Sequence, residues 1–221
     1  MATTPASPSA PASPAAPEAP SVGLVTWDAE GTEGGRFHSR TLSVPSDSSG
    51  LTIGRGYDMK ERSEAIIAAD LGAAGVPAAD AARISKAAGL SGAAARRFIA
   101  DQQLGSFEIS KAAQVALFMT TYNALKADVA RICAKPDVVA AFGACDLAKT
   151  DRAIVDILVD LRFRGDYTGT SRGLVQKAAA KNDLAGFATA LQNPANWPNV
   201  PRDRFNRRAA FLASALAPQK K

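Results

Sequence analysis

The chain has 221 residues, of which 26 are lysine or arginine and 21 are aspartate or glutamate, so its formal net charge is +5. This length allows one domain with a substantial core, and the modest positive excess favours anionic partners without choosing among cell-wall polymer, nucleic acid and acidic lipid. Two cysteines and one histidine, without a Cys-x-x-Cys motif, exclude a disulfide-stapled scaffold and make metal-dependent hydrolysis a poor hypothesis.

The first 21 residues are almost entirely alanine, proline, serine and threonine. Such a segment has too little apolar content to bury a core, so we predict a disordered tail over residues 1–21 that serves as a tether or delivery segment. It lacks the basic start and apolar run of a secretory signal peptide, and no later stretch reaches the length of a membrane span. We therefore expect synthesis in the cytoplasm without a signal peptide, with other machinery carrying the protein to any substrate outside.

Residues 21–58 are rich in glycine, serine, threonine and proline. This composition predicts a short apolar segment over residues 22–27 that favours β-structure, followed by a small irregular β-element. Within that element three glycines are interleaved with larger residues, which suits a hairpin whose backbone is approached closely by a ligand or another strand. These glycines are Gly50, Gly54 and Gly56.

Beyond Met59 the three- and four-residue spacing of apolar side chains predicts helices up to the C terminus. Asp58 and Glu61 form a variant capping box at the start of the first helix, and Pro136 ends the fourth. The predicted helices cover residues 59–71, 80–88, 91–104, 111–135, 151–164, 171–181, 183–192 and 203–216. The other predicted N-caps are Ser91, Ser110 and Thr150.

Residues 151–164 are apolar on nearly every side of the predicted helix. This pattern is typical of a buried helix, so we predict that these residues form the central helix of the larger lobe. For the last helix we predict a buried face made of Phe205, Ala209, Leu212 and Leu216.

The two cysteines are Cys133 and Cys145. They could form one disulfide bond if the protein works in an oxidising compartment. Two small buried thiols are the preferred interpretation, and the sequence leaves the choice open.

The run Ser-Gly-Leu-Thr-Ile-Gly-Arg-Gly-Tyr-Asp over residues 49–58 follows a Glu-Gly pair that begins at Glu30. In this order of residues the chain resembles the active-site unit of phage-type lysozymes, and most closely the branch of muramidases that contains the bacteriocin pesticin. The match is dense over residues 30–58 and thinner over the C-terminal third. There, residues 153–165 and 197–211 are similar to the family's central and closing helices.

The resemblance implies an α+β, predominantly helical domain over residues 22–221. In the lysozyme-like arrangement a small β-hairpin lobe faces a helical lobe built around a buried central helix. The family's glutamate usually follows a longer N-terminal helix than residues 22–27 would form, so the connection between the lobes is expected to differ here.

The activity implied by the resemblance is hydrolysis of the β-1,4 bond between N-acetylmuramic acid and N-acetylglucosamine in peptidoglycan, without a cofactor or a metal. Such a protein would act as a monomer in the periplasm or at the cell wall, with no role for nucleic acid, and whether an immunity protein is a further partner stays open. Whether it is an endolysin, a bacteriocin domain or an injected effector stays open. So do two alternatives with the same fold, a catalytically inactive wall-binding module and a structural part of a phage tail or secretion apparatus.

Cleavage of a glycosidic bond needs a carboxylic acid that protonates the leaving oxygen, and burial that raises its pKa suits that task. The resemblance assigns this role to Glu30, and Glu33 is the competing residue. Asp58 is the second carboxylate, which orients or deprotonates a water held by Thr52, and its position six residues after Thr52 fits the pesticin branch. In the common phage lysozymes the aspartate precedes the threonine, which makes Asp47 the rival.

Arg204 lies seven residues after Trp197. By the resemblance it matches the arginine of the closing helix that pairs with the catalytic glutamate. Three of these residues also have ordinary structural interpretations: a solvated helix arginine for Arg204, a β-branched strand residue for Thr52 and a solvated loop residue for Glu30.

Overall fold

The computed structural model describes residues 18–35 and 38–218. These residues form an α+β fold that is predominantly helical, with one two-stranded antiparallel sheet. Most of the predicted tail, residues 1–17, lies outside the described residues. The last part of that tail contacts the helical body, since Glu18 pairs with Lys111 at 2.8 Å.

The first half of the chain contributes a short helix, a hairpin and three further helices. They are α1 (Leu24–Trp27), β1 (Thr52–Ile53), β2 (Tyr57–Asp58), α2 (Glu64–Ala73), α3 (Ala78–Ser85) and α4 (Gly92–Asp101). The second half adds α5 (Lys111–Cys133), α6 (Pro136–Phe142), α7 (Arg152–Arg164), α8 (Gly169–Ala180), α9 (Leu184–Gln192), a 3₁₀ turn (Pro194–Asn196) and α10 (Arg202–Leu216). None of these described helices is both long and apolar enough to cross a membrane.

The capping side chains explain where several helices begin. Ser110 accepts a hydrogen bond from a backbone N–H of the first turn of α5 at 3.1 Å, so this helix begins as predicted. Asp151 caps α7 in the same way at 2.8 Å, so the predicted Thr150 cap is wrong by one residue. Ser91 precedes α4 as predicted, but its side chain accepts no capping hydrogen bond.

The start of α2 differs from the prediction. This helix begins at Glu64, five residues after the predicted Met59, and the side chain of Ser63 caps it. Asp58 lies in β2, directly opposite Thr52 of β1. The predicted capping box is therefore wrong, because pairing between the strands takes Asp58 into the hairpin before the helix can begin.

Two other local predictions are corrected. Residues 22–27 were expected to lean toward β-structure, but residues 24–27 form the short helix α1. Helix α6 was not predicted, and it begins directly at Pro136. Proline is favoured at the first position of a helix, where its missing N–H loses no hydrogen bond, so Pro136 closes off α5 and opens another helix.

Two clusters of buried apolar side chains organise the fold. One joins the hairpin to α2, α3 and α4, and the other surrounds α7 and includes parts of α1, α8, α9 and α10. Helix α5 contributes to both, with Leu117 in the first cluster and Phe118 in the second. Residues 153–161 of α7 are all buried, which confirms the predicted burial of this helix.

The last helix buries different side chains from those predicted. Its buried residues are Arg204, Arg208 and Leu212, whereas Leu216 is 44% exposed. The other two predicted residues are half-buried. The prediction is wrong except for Leu212, because α10 lies against carboxylates that pair with its arginines.

The structure holds Cys133 and Cys145 as free thiols. Cys133 is buried and its Sγ accepts a hydrogen bond from Gln176 Nε2 at 3.2 Å. Cys145 is half-buried. Cys133 thus matches the preferred interpretation of a small buried thiol.

Candidate functional site

Glu30 lies in the loop that follows α1. Its N–H donates to Thr26 O at 3.0 Å, so the loop continues directly from the last turn of the helix. The start of α1 is attached to α7, because Gly23 N donates to Asp156 Oδ2 at 3.2 Å. Asp156 also accepts from Tyr122 Oη at 2.5 Å. Glu30 is therefore positioned from the buried central helix through one short helix.

Arg204 of α10 forms the second side of the site. Its Nη1 donates to Glu30 Oε1, and its other guanidinium nitrogens donate to Asp160 at 2.6 and 3.3 Å. Arg204 is 8% exposed, whereas the side chain of Glu30 keeps 21% exposure. The contact expected between Arg204 and Glu30 is present, and Asp160 is a further partner of Arg204 that was not predicted.

This pair belongs to a longer chain of alternating charges. The buried Asp160 also accepts from the buried Arg208 at 2.6 Å, and Arg208 donates to Asp166 at 2.8 Å. Burial raises the pKa of Asp160, but the charges of Arg208 and Arg204 outweigh it and hold that pKa below its ordinary value. Burial lowers the pKa of Arg204, yet Asp160 and Glu30 bring it above its ordinary value. The network therefore keeps fixed charges beside Glu30.

The hairpin reaches Glu30 at Gly56. Gly56 has a φ of +86°, and a Cβ atom added to it would lie 2.5 Å from Phe163 Cζ and 3.8 Å from Glu30 Oε2. A side chain here would collide with Phe163, so glycine allows the turn to approach both α7 and Glu30. Glu30 Oε2 accepts no hydrogen bond from any residue that the structure describes. One oxygen of Glu30 is thus held by Arg204, and the other adjoins the hairpin.

At the turn of the hairpin, Arg55 folds inward. Its Nη1 donates to Trp27 O at 2.5 Å and to Gly31 O at 2.6 Å. Its guanidinium carbon lies 4.1 Å from the centroid of the Trp27 ring. The turn is therefore bound to the backbone on both sides of Glu30.

Thr52 and Asp58 lie opposite each other on the two strands. Thr52 Oγ1 donates to Gly50 O at 3.2 Å. The Asp58 carboxylate accepts from Gly50 N at 3.0 Å and from Lys60 N at 2.8 Å, so it ties together the open end of the hairpin. Asp58 also lines a surface depression of about 380 Å³ with residues 60–62. It is both a structural acceptor and accessible from solvent.

The structure brings the predicted residues together in two groups. Glu30 and Arg204 meet at the turn end of the hairpin, whereas Thr52 and Asp58 meet at its open end. Gly56 adjoins Glu30, and only Tyr57 lies between Gly56 and Asp58 in the chain. The hairpin is the element that joins the groups.

The two rival carboxylates form ion pairs elsewhere. Glu33 accepts from Arg40 Nε at 2.9 Å and from Gln114 Nε2 at 2.7 Å. Burial raises the pKa of Glu33, but these hydrogen bonds and the charge of Arg40 outweigh it and bring that pKa below its usual value. The side chain of Asp47 is 92% exposed and pairs with Arg96 at 2.7 Å. Glu33 and Asp47 are therefore each engaged in an ion pair with an arginine.

One pattern in the sequence could have revealed the buried charges. Asp156 and Asp160 are four residues apart in an otherwise apolar helix, and Arg204 and Arg208 have the same spacing in α10. Residues four apart share a helix face, and buried carboxylates need partners. Arg55 gave no comparable signal, because arginine in a Gly-Arg-Gly turn is ordinarily solvated.

The comparisons with known proteins identify a family and no activity. A family model described as a domain of unknown function (DUF8812) matches residues 23–209. The matched part begins at the start of α1 and ends just after Arg208, so it includes Glu30, the hairpin and the buried charges. No match to the chain was found among the curated proteins. Because the family model covers most of the chain, the protein belongs to the family of the domain of unknown function DUF8812.

Proposed function

We propose that this protein is a muramidase that hydrolyses the β-1,4 bond between N-acetylmuramic acid and N-acetylglucosamine in peptidoglycan. The observation that carries the proposal is the different surroundings of the two oxygens of Glu30. Oε1 accepts from Arg204, while Oε2 adjoins the hairpin that carries Thr52 and Asp58. A carboxyl held in this way can give a proton from Oε2 to the leaving oxygen of a glycosidic bond.

The proposed fold is the lysozyme-like arrangement of two lobes. The apolar cluster beneath the hairpin, α2, α3 and α4 supplies the small lobe, and the cluster around α7 supplies the helical lobe. Glu30 lies where the hairpin turn meets α7 and α10. A polysaccharide bound between the lobes would have Glu30 on one side and the hairpin on the other.

In the proposed reaction Asp58 and Thr52 hold the attacking water. Each oxygen of Asp58 accepts one backbone N–H and keeps a second lone pair for a water. The position of Asp58 at the far end of the hairpin from Glu30 fits the roomier arrangement of inverting glycosidases, whose carboxyls are about 6.5–9.5 Å apart. Attack by water leaves ordinary reducing ends, whereas a lytic transglycosylase would leave anhydro ends.

The contacts of Asp58 also favour a second candidate function. Both of its oxygens already accept backbone N–H groups, as they would if its task were only to close the hairpin. The domain would then be a catalytically inactive wall-binding module, or a structural part of a phage tail or secretion apparatus. Its Glu30–Arg204 pair would be structural as well.

A muramidase of this kind would act in the periplasm or at the cell wall, after export, injection or release. Peptidoglycan is then the substrate, and an immunity protein that blocks the site is a further partner. No step of the proposed reaction uses a cofactor.

Zymography in gels that contain peptidoglycan tests the proposal. We expect a clearing band from the wild type and none from Glu30→Gln, because the amide cannot donate the proton, while circular dichroism shows that the variant is folded. Glu64→Gln is the matched control, since the Glu64 side chain is 52% exposed and pairs with Lys86 on the surface, and it should clear like the wild type. Mass spectrometry should find reducing ends in the products. A wild type that leaves peptidoglycan intact, or a fully active Glu30→Gln, would reject the proposal.

A further inference from the structure

Arg55 is a buried cation whose hydrogen bonds go to the backbone. Its Nη1 bridges the carbonyl oxygens of Trp27 and Gly31, which lie on either side of Glu30. Arg55 is 6% exposed, and its Nε has no hydrogen-bond partner among the described residues. Arg55 also forms no ion pair with any residue that the structure describes. A guanidinium is rarely buried under such conditions, because charge and N–H groups both need partners.

Stability alone does not account for an arginine at this position. Burial lowers the pKa of Arg55, and the charges of Glu33 and Asp28 oppose this only in part. An apolar side chain of similar volume would avoid both the desolvation of the charge and the unpartnered N–H. Departures of this kind from well-satisfied packing are found where geometry serves function.

The contacts of Arg55 fix the backbone around Glu30. One nitrogen binds the carbonyls of Trp27 and Gly31, so the segment between them cannot shift relative to the turn without breaking a hydrogen bond. Gly31 adds close packing, since a Cβ atom added there would lie 2.6 Å from Ser39 Cβ and 3.3 Å from Arg55 Cγ. Arg204, by contrast, binds the carboxylate of Glu30.

We infer that Arg55 is a positioning residue, which fixes Glu30 relative to the hairpin that carries Thr52 and Asp58. Arg204 orients the Glu30 side chain from the helical side, and Arg55 holds the Glu30 backbone from the hairpin side. The catalytic consequence rests on the proposed function. The restraint that Arg55 places on the backbone of residues 27–31 does not rest on the proposed function, and it can be measured separately.

The first measurement is the kinetics of Arg55→Met on soluble peptidoglycan fragments. Methionine keeps an unbranched side chain over Trp27 but cannot donate to either carbonyl. We expect kcat to fall by about tenfold or more with KM within about threefold, because the proton donor is displaced while substrate contacts remain. Arg55→Lys, which keeps a donor, should recover part of kcat. Arg83→Met is the matched control, since Arg83 pairs with Asp80 on the surface of α3, and it should equal the wild type.

The second measurement is amide hydrogen exchange by mass spectrometry, which needs no activity. We expect faster exchange over residues 28–32 in Arg55→Met, with unchanged exchange in α3 and α7 as evidence that the fold is intact. If Arg55 instead stabilised the fold as a whole, without a specific effect on this loop, Arg55→Met would exchange faster throughout the protein.

The outcomes separate the inference from the proposed function. A wild type without activity on peptidoglycan would reject the muramidase, and hydrogen exchange would still decide whether Arg55 holds the loop. In an active enzyme, a wild-type kcat in Arg55→Met would overturn the inference, and so would unchanged exchange over residues 28–32. If Arg55→Met does not fold, Arg55→Lys decides instead. Its ammonium replaces the bridge to the two carbonyls only in part, so exchange over residues 28–32 should be faster than in the wild type and kcat should be lower. Wild-type values of both in Arg55→Lys would overturn the inference.

Discussion

Arg204 and Glu30 are 174 residues apart in the chain, yet Arg204 Nη1 donates a hydrogen bond to Glu30 Oε1. The same guanidinium donates twice to Asp160, which is fully buried. Asp160 also keeps Arg208 as a partner at 2.6 Å. Arg204 therefore keeps a buried carboxylate partner besides Glu30, so the pairing of the buried charges does not depend on Glu30.

Arg204→Met should destabilise the protein more than any exposed arginine substitution on the same helix. Removing one member of a buried ion pair costs roughly 3–5 kcal/mol, and we expect the lower end because Arg208 still pairs with Asp160. Arg207→Met is the control, since Arg207 is the exposed neighbour on α10, and its effect should stay within about 0.5 kcal/mol. Urea unfolding measures both values. Equal losses in the two variants would contradict the importance of the buried network.

Asp160 should make the free energy of unfolding depend on pH in the acidic range. Burial raises its pKa, but Arg208 and Arg204 outweigh this, so the folded-state pKa lies below the unfolded value of about 3.9. Such a group contributes stability that is present above its unfolded pKa and is lost as pH falls through its folded pKa. The free energy of unfolding of the wild type should therefore exceed that of Asp160→Asn by a constant amount from pH 7 to about 5, and by less below about pH 4.

Urea unfolding at a series of pH values measures this difference. The control is Asp47→Asn, since the Asp47 side chain is 92% exposed, and at pH 7 it should change stability by no more than about 0.5 kcal/mol. A gap between the wild type and Asp160→Asn that widens on acidification would show that the sign is wrong.

Gly56 and Gly54 provide a matched pair of substitutions. Their φ values are +86° and +64°, so alanine adds backbone strain of about 1–2 kcal/mol at either position. At Gly56 the added Cβ would also lie 2.5 Å from Phe163 Cζ, whereas at Gly54 its nearest neighbour is Ile109 Cδ1 at an ordinary 3.7 Å. We expect Gly56→Ala to lose more thermal stability and more lytic activity than Gly54→Ala. Equal losses would mean that Phe163 moves aside and that the close approach does not require glycine.

Elements with a local signal of their own were predictable from the sequence. The apolar surface of α7 predicted its burial, and Ser110 predicted the start of α5. Asp58 and Pro136 show where local signals fail, because each is compatible with two structures. Pairing with the opposite strand made Asp58 an acceptor in the hairpin, and Pro136 opened a helix as well as closing one.

The candidate site shows the same division. A family resemblance supplied Glu30 and Arg204, and no local pattern predicts that two residues so far apart in the chain meet. The spacing of Asp156 and Asp160 did carry a signal for buried charge. The burial of Arg55 depends on how the hairpin docks on α1, which is a tertiary contact that no single segment specifies.

Asp58→Asn should separate catalysis from closure of the hairpin. Asparagine has one acceptor oxygen, so one of the hydrogen bonds from Gly50 N and Lys60 N is lost. That loss should lower stability by about 1–3 kcal/mol and leave the protein folded. If Asp58 also deprotonates the attacking water, the rate should fall by about 100-fold or more, because an amide cannot take up the proton.

The release of reducing ends from peptidoglycan measures this loss, at a temperature where the variant is folded. Asp47→Asn is the matched control, because it makes the same chemical change at an exposed carboxylate that pairs with Arg96, and it should retain wild-type activity. The comparison also decides which branch of the phage-type lysozymes the chain resembles. Near-normal activity in Asp58→Asn together with an inactive Asp47→Asn would transfer the role of second carboxylate to Asp47. Asp58 would then be a structural residue that closes the hairpin.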